Sequence, residues 1–471
     1  MKRIFPASMA ALLLSGCMVG PNHVSPVAKA PAQTPFLGTQ SAAFVPAEPP
    51  AQWWKLFNAP ALDRLVDEAL AANTDLRVAA ANLRAARAAL RETRNARLPT
   101  TNIGASAGYG QVAGSTLGVN GQGPRGDTYD VGLDVGYQID LFGRIGRAIE
   151  AGRADLEATQ AAYDLARVTV AAETTRAYVD ACAAGQQLSV ARESLRVQEQ
   201  TFDLTRRQFE GGRGTALDTS RASALLEQTR ADVPTLEAER QAALYRLATL
   251  TGKPPAEFPV DVATCDVAPT LLSPIPVGDG ATLLARRPDI RAAERRLAAA
   301  SARIGVATAD LYPSISLGGS IGSTASSPNG LVSGSGFRFS LGPLISWTFP
   351  NIGAARARIA QAEANADAAL ATFDGTWLRA LEETESSLKR YAGEGERMAT
   401  LTRARDASAE AARIARLRYQ AGAENFQIVL DAERSLAASE ALLAQSRAAF
   451  SDQAVTLFLA LGGGWQAPAA N

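Results

Sequence analysis

The chain can be laid over itself at an offset of roughly 210 residues. Asp75-Leu76-Arg77 then falls on Asp289-Ile290-Arg291, and Leu98-Pro99 falls on Tyr312-Pro313. Phe142-Gly143-Arg144-Ile145-Gly146 meets Phe349-Pro350-Asn351-Ile352-Gly353, the stretch from Phe209 to Gly212 meets Tyr419 to Gly422, and Leu250-Thr251-Gly252 meets Ala460-Leu461-Gly462. A duplicated chain repeats one supersecondary plan, so every element inferred in one half needs a counterpart in the other. Between the halves lies Lys253 to Gly278, with six prolines, which reads as a connector.

Each half opens with an Ala/Leu/Arg-rich helical stretch, about 73 to 97 and 289 to 310, closed by Pro99 or Pro313, because proline removes a helix donor and clashes with the preceding turn. Alternation of period two follows. Ile103, Ala105, Ala107 and Tyr109, then Tyr129, Val131, Leu133, Val135, Tyr137 and Ile139, share one parity, against Asn102, Ser106, Asp130, Asp134, Gln138 and Asp140 on the other. In the second half Ile315, Leu317, Ile321, Phe337, Phe339, Leu341, Ile345, Trp347 and Phe349 alternate against Ser314, Ser316, Ser320, Arg338, Ser340 and Thr348. These segments are strands. About 22 positions on the apolar parity carry no charge, and a charge facing lipid costs about 2 to 4 kcal/mol at mid-membrane, so that face suits hydrocarbon. The opposite face is Gly and Ser instead of the Lys, Glu and Thr of a solvated sheet, which favours membrane strands over a soluble sandwich.

Four strands cannot close a barrel, and open edges are not tolerated in lipid, so copies must combine. Two copies give eight strands and a filled interior; small inward residues ask for a wider lumen, and three copies give 12 strands with closed symmetry. Beyond the strands, Arg144 to Val233 and Ile352 to Ala467 are free of proline and rich in Ala, Leu, Arg, Glu and Gln. They read as long helices broken once each, at Gly211-Gly212-Arg213-Gly214 and at Ala421-Gly422. A helix from Arg144 to Glu210 is about 100 Å long.

The 47 Lys+Arg balance 47 Asp+Glu, so the surplus of positive charge that a nucleic-acid binder needs is missing. The one His, His23, and three separated Cys make a zinc site or a Ser-His-Asp triad improbable; no cofactor and no enzymatic activity are expected. Met1 to Cys17 has a basic start and a short apolar run, as a secretory signal does. It ends in Leu14-Ser15-Gly16-Cys17, which looks like a bacterial lipobox; that likeness implies cleavage before Cys17 and acylation of its sulfur, with Met18 next pointing to the outer membrane. Cys182 and Cys265 are then the only possible disulfide pair, and whether they meet stays open.

With these features in place, the chain resembles the TolC-like outer-membrane efflux proteins, specifically their NodT-type lipoprotein branch. The likeness is carried by Cys17-Met18-Val19-Gly20-Pro21, by Trp53-Trp54-Lys55-Leu56-Phe57 with Pro60 and Leu62, by the paired Leu98-Pro99 and Tyr312-Pro313, by Asp140-Leu141-Phe142-Gly143, and by Arg418-Tyr419-Gln420-Ala421-Gly422 followed by Val429-Leu430-Asp431-Ala432. The fold class expected is mainly α with a membrane β-barrel: a tandem-duplicated protomer with four β-strands and long coiled-coil helices, whose trimer forms a 12-stranded barrel continuous with an α-helical periplasmic tunnel. The resemblance implies an outer-membrane duct, lipid-anchored and reaching into the periplasm, docked by a periplasmic adaptor and an inner-membrane efflux pump that hands over small molecules. Type I polypeptide secretion, an adaptor or coiled-coil scaffold, and a general porin are the competing readings.

The organisation expected is a signal peptide at 1–16, a lipidated tether at 17–60, a first repeat at 61–252, a connector at 253–278, a second repeat at 279–462 and a tail at 463–471. Strands are expected at about 101–111, 129–141, 314–322 and 336–349, with helical hairpins at about 144–250 and 352–461. In the family, acidic residues and their partners narrow the periplasmic end just after the helical turns; the pattern carries over to Asp218, Tyr419 and Asp431, with Gly212 and Gly422 at the tips where an adaptor docks. Glu424 stands where relatives have a basic residue, and Ile428 where some have Asp. Carboxylates about 6 Å apart repel by roughly 3 kcal/mol at an effective dielectric near 20, so rings of Asp218 and Asp431 could bias opening; a helix-capping Asp218 and a solvated Asp431 are the alternative. Asp130, Asp134 and Asp140 are expected to face the lumen and favour cations.

Overall fold

A computed structural model of the chain describes residues 18–26, 36–113, 121–271, 273–280, 286–350 and 352–463. Cys17 and the segment before it lie outside the described residues, as does the tail from 464. In chain order the elements are β1 (Phe44–Val45), α1 (Pro60–Ala72), α2 (Thr74–Asn95), β2 (Thr100–Ala113), β3 (Gln122–Ile139), α3 (Arg144–Glu210), α4 (Ala216–Leu250), β4 (Ile275–Pro276), α5 (Pro288–Ala309), β5 (Ser314–Ala325), β6 (Phe337–Ser346), α6 (Ile352–Gln420) and α7 (Phe426–Ala460). The chain is mainly helical and divides into two compact units.

The duplication is visible in how the helices end. At α3, Gly212 adopts φ +70°, with Gly212 N–H donating to Phe209 O (3.0 Å) and Arg213 N–H to Gln208 O (2.8 Å). At α6, Gly422 adopts φ +71°, with the equivalent bonds from Gly422 to Tyr419 O (2.9 Å) and from Ala423 to Arg418 O (2.9 Å). This paired bonding satisfies the last carbonyls of a helix, and its left-handed position excludes most side chains other than glycine. The same stop recurs after α4 at Gly252 and after α7 at Gly462. The helix expected over 73–97 is α2, preceded by a second helix, α1, that joins it at Asn73. Its side-chain oxygen accepts from Asp75 N–H (2.9 Å) and Leu76 N–H (3.3 Å) as an N-cap, while its amide donates to Leu250 O (3.0 Å).

One unit comprises residues 1–26, 83–159 and 292–373. Its antiparallel sheet has the order β2-β3-β5-β6. Register places Ile103, Leu133, Ile321 and Phe339 in one transverse row, and Asn102, Asp134, Ser320 and Ser340 in the next. Alternate rows therefore present apolar and polar faces, as period two requires. The apolar row is uncovered: Ile103, Phe339 and Leu341 each expose three quarters or more of their surface. Among the described residues, β2 pairs only with β3 and β6 only with β5, so both outer edges are open. β3 starts at Gln122 instead of near 129, its ladder extended by Gln111, which donates to Gly123 O (3.0 Å) and accepts from Arg125 Nε (3.0 Å). β6 stops at Ser346, and the Trp347 indole donates to Leu311 O (3.2 Å). Beneath the sheet, Leu90 of α2 packs on Ile145 and Ile149 of α3, and Ala154 packs on Ala298 and Ala299 of α5.

The other unit comprises residues 27–82, 160–291 and 374–471. Its core gathers Trp53, Trp54, Phe57, Leu62, Leu244, Leu247, Leu388, Leu457 and Phe458. The stretch expected to be an extended tether is, over residues 36–57, part of this core. Its polar and Pro/Ala-rich composition conceals five large aromatics: Phe36, Phe44, Trp53, Trp54 and Phe57 are all buried, and Trp53 stacks on Phe458 with ring centroids 4.8 Å apart. The connector is likewise a packed strap. β1 and β4 pair in parallel, Val262, Ile275 and Val277 are buried, and Cys265 is disulfide-bonded to Cys182 of α3.

Candidate functional site: the helical tips and the polar face of the sheet

The tips of the two helical hairpins meet around Ala222, Leu225, Ala415, Phe426, Val429 and Leu430, with Phe202 and Tyr419 packed on this cluster. The N-caps of the returning helices are equivalent: Thr215 Oγ1 accepts from Asp218 N–H (3.2 Å) before α4, and Asn425 Oδ1 accepts from Ile428 N–H (3.2 Å) before α7. Asp218 belongs to this cap, its carboxylate accepting from the Thr215 hydroxyl (2.6 Å) at the positive end of the helix. The counterpart of Asp218 in the second half is thus Ile428, which is why the second half offers no matching Asp there.

Tyr419 sits beside Asp218: burial first, and the Asp218 charge second, raise its phenol above the ordinary tyrosine value. The hydroxyl donates to Gln208 Oε1 of α3, tying the end of α6 to the other hairpin. Asp431 is joined across the hairpins as well. Arg221 Nη1 donates to Gln427 Oε1 (2.6 Å), whose amide donates to both Asp431 oxygens (3.0 and 3.1 Å). Glu424 is held by Arg418 at 3.4 Å. The structure therefore groups Asp218 with Tyr419, and Asp431 with Arg221 and Gln427. Gln208, Arg221 and Gln427 escape sequence reasoning, because a glutamine on an exposed helix carries no signal of its role; Arg221 is detectable only as the repeat counterpart of Asp431.

A second unforeseen group is Glu433, two residues beyond Asp431 on α7. Its side chain is 1% exposed and accepts from the Thr201 hydroxyl at 3.0 and 3.1 Å, with Arg416 Nε at 3.6 Å. Burial pushes its carboxyl above the ordinary glutamate value, against the opposing pull of Thr201, Arg416 and Gln198.

On the sheet, the three expected lumen carboxylates separate. Asp130 is not a free charge: Arg338 Nη2 bonds both its oxygens at 2.8 Å and Thr324 donates at 2.6 Å. Asp140 does not extend the polar row at all. It lies beyond the last residue of β3, and its two oxygens accept from Ile145 N–H (3.0 Å) and Gly146 N–H (2.7 Å) in the first turn of α3, where an anion is favoured. Asp134 is exposed on the polar row, with no ion pair among the described residues.

At the same end of the sheet, residues 18–26 are pinned. Val19 N–H donates to Phe142 O (3.3 Å), and Arg147, 2% exposed, donates to Val19 O (3.1 Å), Gly20 O (3.1 Å) and Asn22 Oδ1 (2.8 Å). Gly143 is at φ +76°, and a Cβ there would stand 2.7 Å from Met18 Cγ. Among the described residues no cluster of His, Cys, Asp and Glu could hold a metal, and no helix is long and apolar enough to cross a membrane.

Comparison with known proteins matches the outer membrane efflux protein family twice, over residues 65–253 and 281–463. Nodulation protein T of Rhizobium leguminosarum bv. trifolii is 31% identical over 97% of this chain and 96% of its own. Outer membrane protein OprJ of Pseudomonas aeruginosa is 33% identical over 98% and 95%. The solved structure of the outer-membrane channel OprN superposes with a TM-score of 0.89 at 39% identity, covering 95% of this chain and all of that one.

Proposed function

The chain belongs to the outer membrane efflux protein family and is an outer-membrane efflux channel, and from that premise we propose that three copies close into a single passive duct. The observation that supports this most directly is the four-stranded sheet with one uncovered apolar face and two open edges. Edge pairing between copies gives 12 strands, turns the apolar rows to lipid, and leaves no backbone group unpaired in hydrocarbon. The polar rows then line a lumen in which Asp134 is the free charge and Asp130 is neutralised by Arg338.

Solutes are small molecules handed over by an inner-membrane pump through a periplasmic adaptor. The adaptor docks at the tips around Gly212 and Gly422, where Phe209, Leu217, Leu417 and Ile428 are exposed. Cys17 carries the lipid; because Met18 to Asn22 are held against Phe142 and Arg147, the acyl chains enter the periplasmic leaflet beside the barrel. Asp218, Tyr419 and Asp431 form the gate. Within one protomer each is engaged by the partners described above, so opening requires the Arg221–Gln427–Asp431 and Tyr419–Gln208 links to part. The duct performs no chemistry and takes no cofactor.

Single-channel recording in planar bilayers tests this. The parent should show small conductance that rises in Asp218→Ala/Asp431→Ala. Equal conductance in both would remove the gate, and absence of channels from folded protein would remove the duct.

A further inference from the structure

The topology brings one particular pair of helices together across each edge of the proposed trimer, and their surfaces are complementary. β2 and β6 are the open edges; α2 leads into β2, and α6 leaves β6. Thr100, Ile139, Ser314 and Ser346 lie at the same end of the sheet, so α2 approaches that end and α6 departs from it. When β2 of one copy pairs with β6 of the next, α2 and the neighbouring α6 run side by side and antiparallel.

Each of these helices carries an exposed alanine face bordered by charge. On α2 the face is Ala81, Ala85, Ala88 and Ala89, with Arg84 along one edge; on α6 it is Ala357, Ala360, Ala364 and Ala368, with Glu363 and Asp367 along the corresponding edge. At 100° per residue both charge rows lie on the same side of their alanine face, and in an antiparallel pair the like-placed edges of two helices meet. The levels agree too. Arg84 lies eleven positions before Asn95, the end of α2, and Glu363 eleven after Ile352, the start of α6, so each is about 16 Å from its sheet-side terminus. Asp367 is one turn below. All three side chains are exposed and none has an ion-pair partner among the described residues, although nearby helices form such pairs, Arg295 with Glu157 and Arg303 with Asp155.

We propose that Arg84 of each copy pairs with Glu363 and Asp367 of the neighbouring copy, a charge seam below the barrel that sets the vertical register in which protomers join. This deepens the trimer reading and rests on it. Alanine faces permit close approach but tolerate sliding; opposite charges at one level penalise a slip, which in the strands would come in steps of two residues.

The experiment is a charge exchange on full-length protein in detergent, read as trimer fraction by native mass measurement across a dilution series. Arg84→Glu and Glu363→Arg should each weaken assembly by roughly tenfold, since attraction becomes repulsion at three equivalent seams. Arg84→Glu/Glu363→Arg should recover assembly to within about threefold of the parent, and high salt should shrink all the differences. Circular dichroism and the Cys182–Cys265 bond report folding independently, and Arg84→Gln with Glu363→Gln carries the test if a reversal misfolds. A monomeric parent overturns the trimer reading itself. A trimeric parent with indifferent single variants, or no rescue in the double, overturns the seam alone.

Discussion

Removing the Cys182–Cys265 bond isolates what holds the strap to the helices. Cys182 is wholly buried on α3, and the bond closes a loop of 83 residues. Chain-entropy arithmetic for a loop of that length gives about 4.5 kcal/mol of restraint on the unfolded state. The strap has other attachments: Arg240 donates to Ala263 O and to Cys265 O (3.2 Å), Ser451 donates to Pro269 O (2.7 Å), and Ile275 is fully buried. Cys265→Ser should therefore leave the native packing in place and act through the unfolded chain. The assay is guanidinium unfolding in detergent, followed by fluorescence of Trp53 and Trp54. With a denaturant slope of about 6 kcal/mol/M, the midpoint should fall by about 0.7 M. Reductant added to the parent should reproduce that shift and leave the variant unmoved. A midpoint unchanged by both treatments, with the bond shown to be formed in the parent, would refute the reasoning. The close approach gives an independent check. A Cβ on Gly185 would lie 2.0 Å from the Cys265 carbonyl oxygen, so Gly185→Ala should push the strap away and lower the yield of the bond.

Two further outcomes follow from the site geometry. Burial raises the Glu433 carboxyl, so the folded chain takes up its proton at higher pH than the unfolded chain does; the cost of the buried charge is fully present above the folded value and vanishes below the unfolded one, near 4.3. Glu433→Gln should raise the thermal midpoint at pH 7.5, with the gain shrinking towards pH 4, and a lower midpoint at pH 7.5 would show that the Thr201 and Arg416 contacts outweigh burial. Arg338→Ala removes the counter-charge 2.8 Å from Asp130. Reversal potentials across a salt gradient should then move towards stronger cation selectivity by a few-fold in permeability ratio, and no movement would place Asp130 outside the conduction path.

How far the sequence could be read depended on whether a feature was periodic. The strands declared themselves because Ile103, Leu133, Ile321 and Phe339 keep one parity over segments long enough to leave no competing period. The helical tips declared themselves because Gly212 and Gly422 occupy one repeat position, and a left-handed helix stop has few alternatives to glycine. The chain after residue 36 and the strap were misjudged for the opposite reason. Their burial rests on isolated large side chains, Phe36, Phe44, Ile275 and Val277, set among Pro and Ala, and composition averages such anchors away. Carboxylates are harder still, since an Asp in an alternating segment has the same parity whether it lines a face or caps a helix. Asp140 differs from Asp134 only in being followed by Leu141, Phe142 and a left-handed Gly143, which turn the chain so that the Ile145 and Gly146 amides point back at it. Register against the other half supplies what parity lacks. Gly353 falls on Gly146 in the repeat, yet Trp347 to Asn351 offer no acid before the second helix, so Asp140 belongs to the one junction that also holds Val19 and Arg147. The two halves share a backbone plan, and they differ in how they hold the incoming N-terminal segment: the first half takes Val19 and Gly20 on Phe142 and Arg147, the second takes His23 and Ser25 on Glu294 of α5.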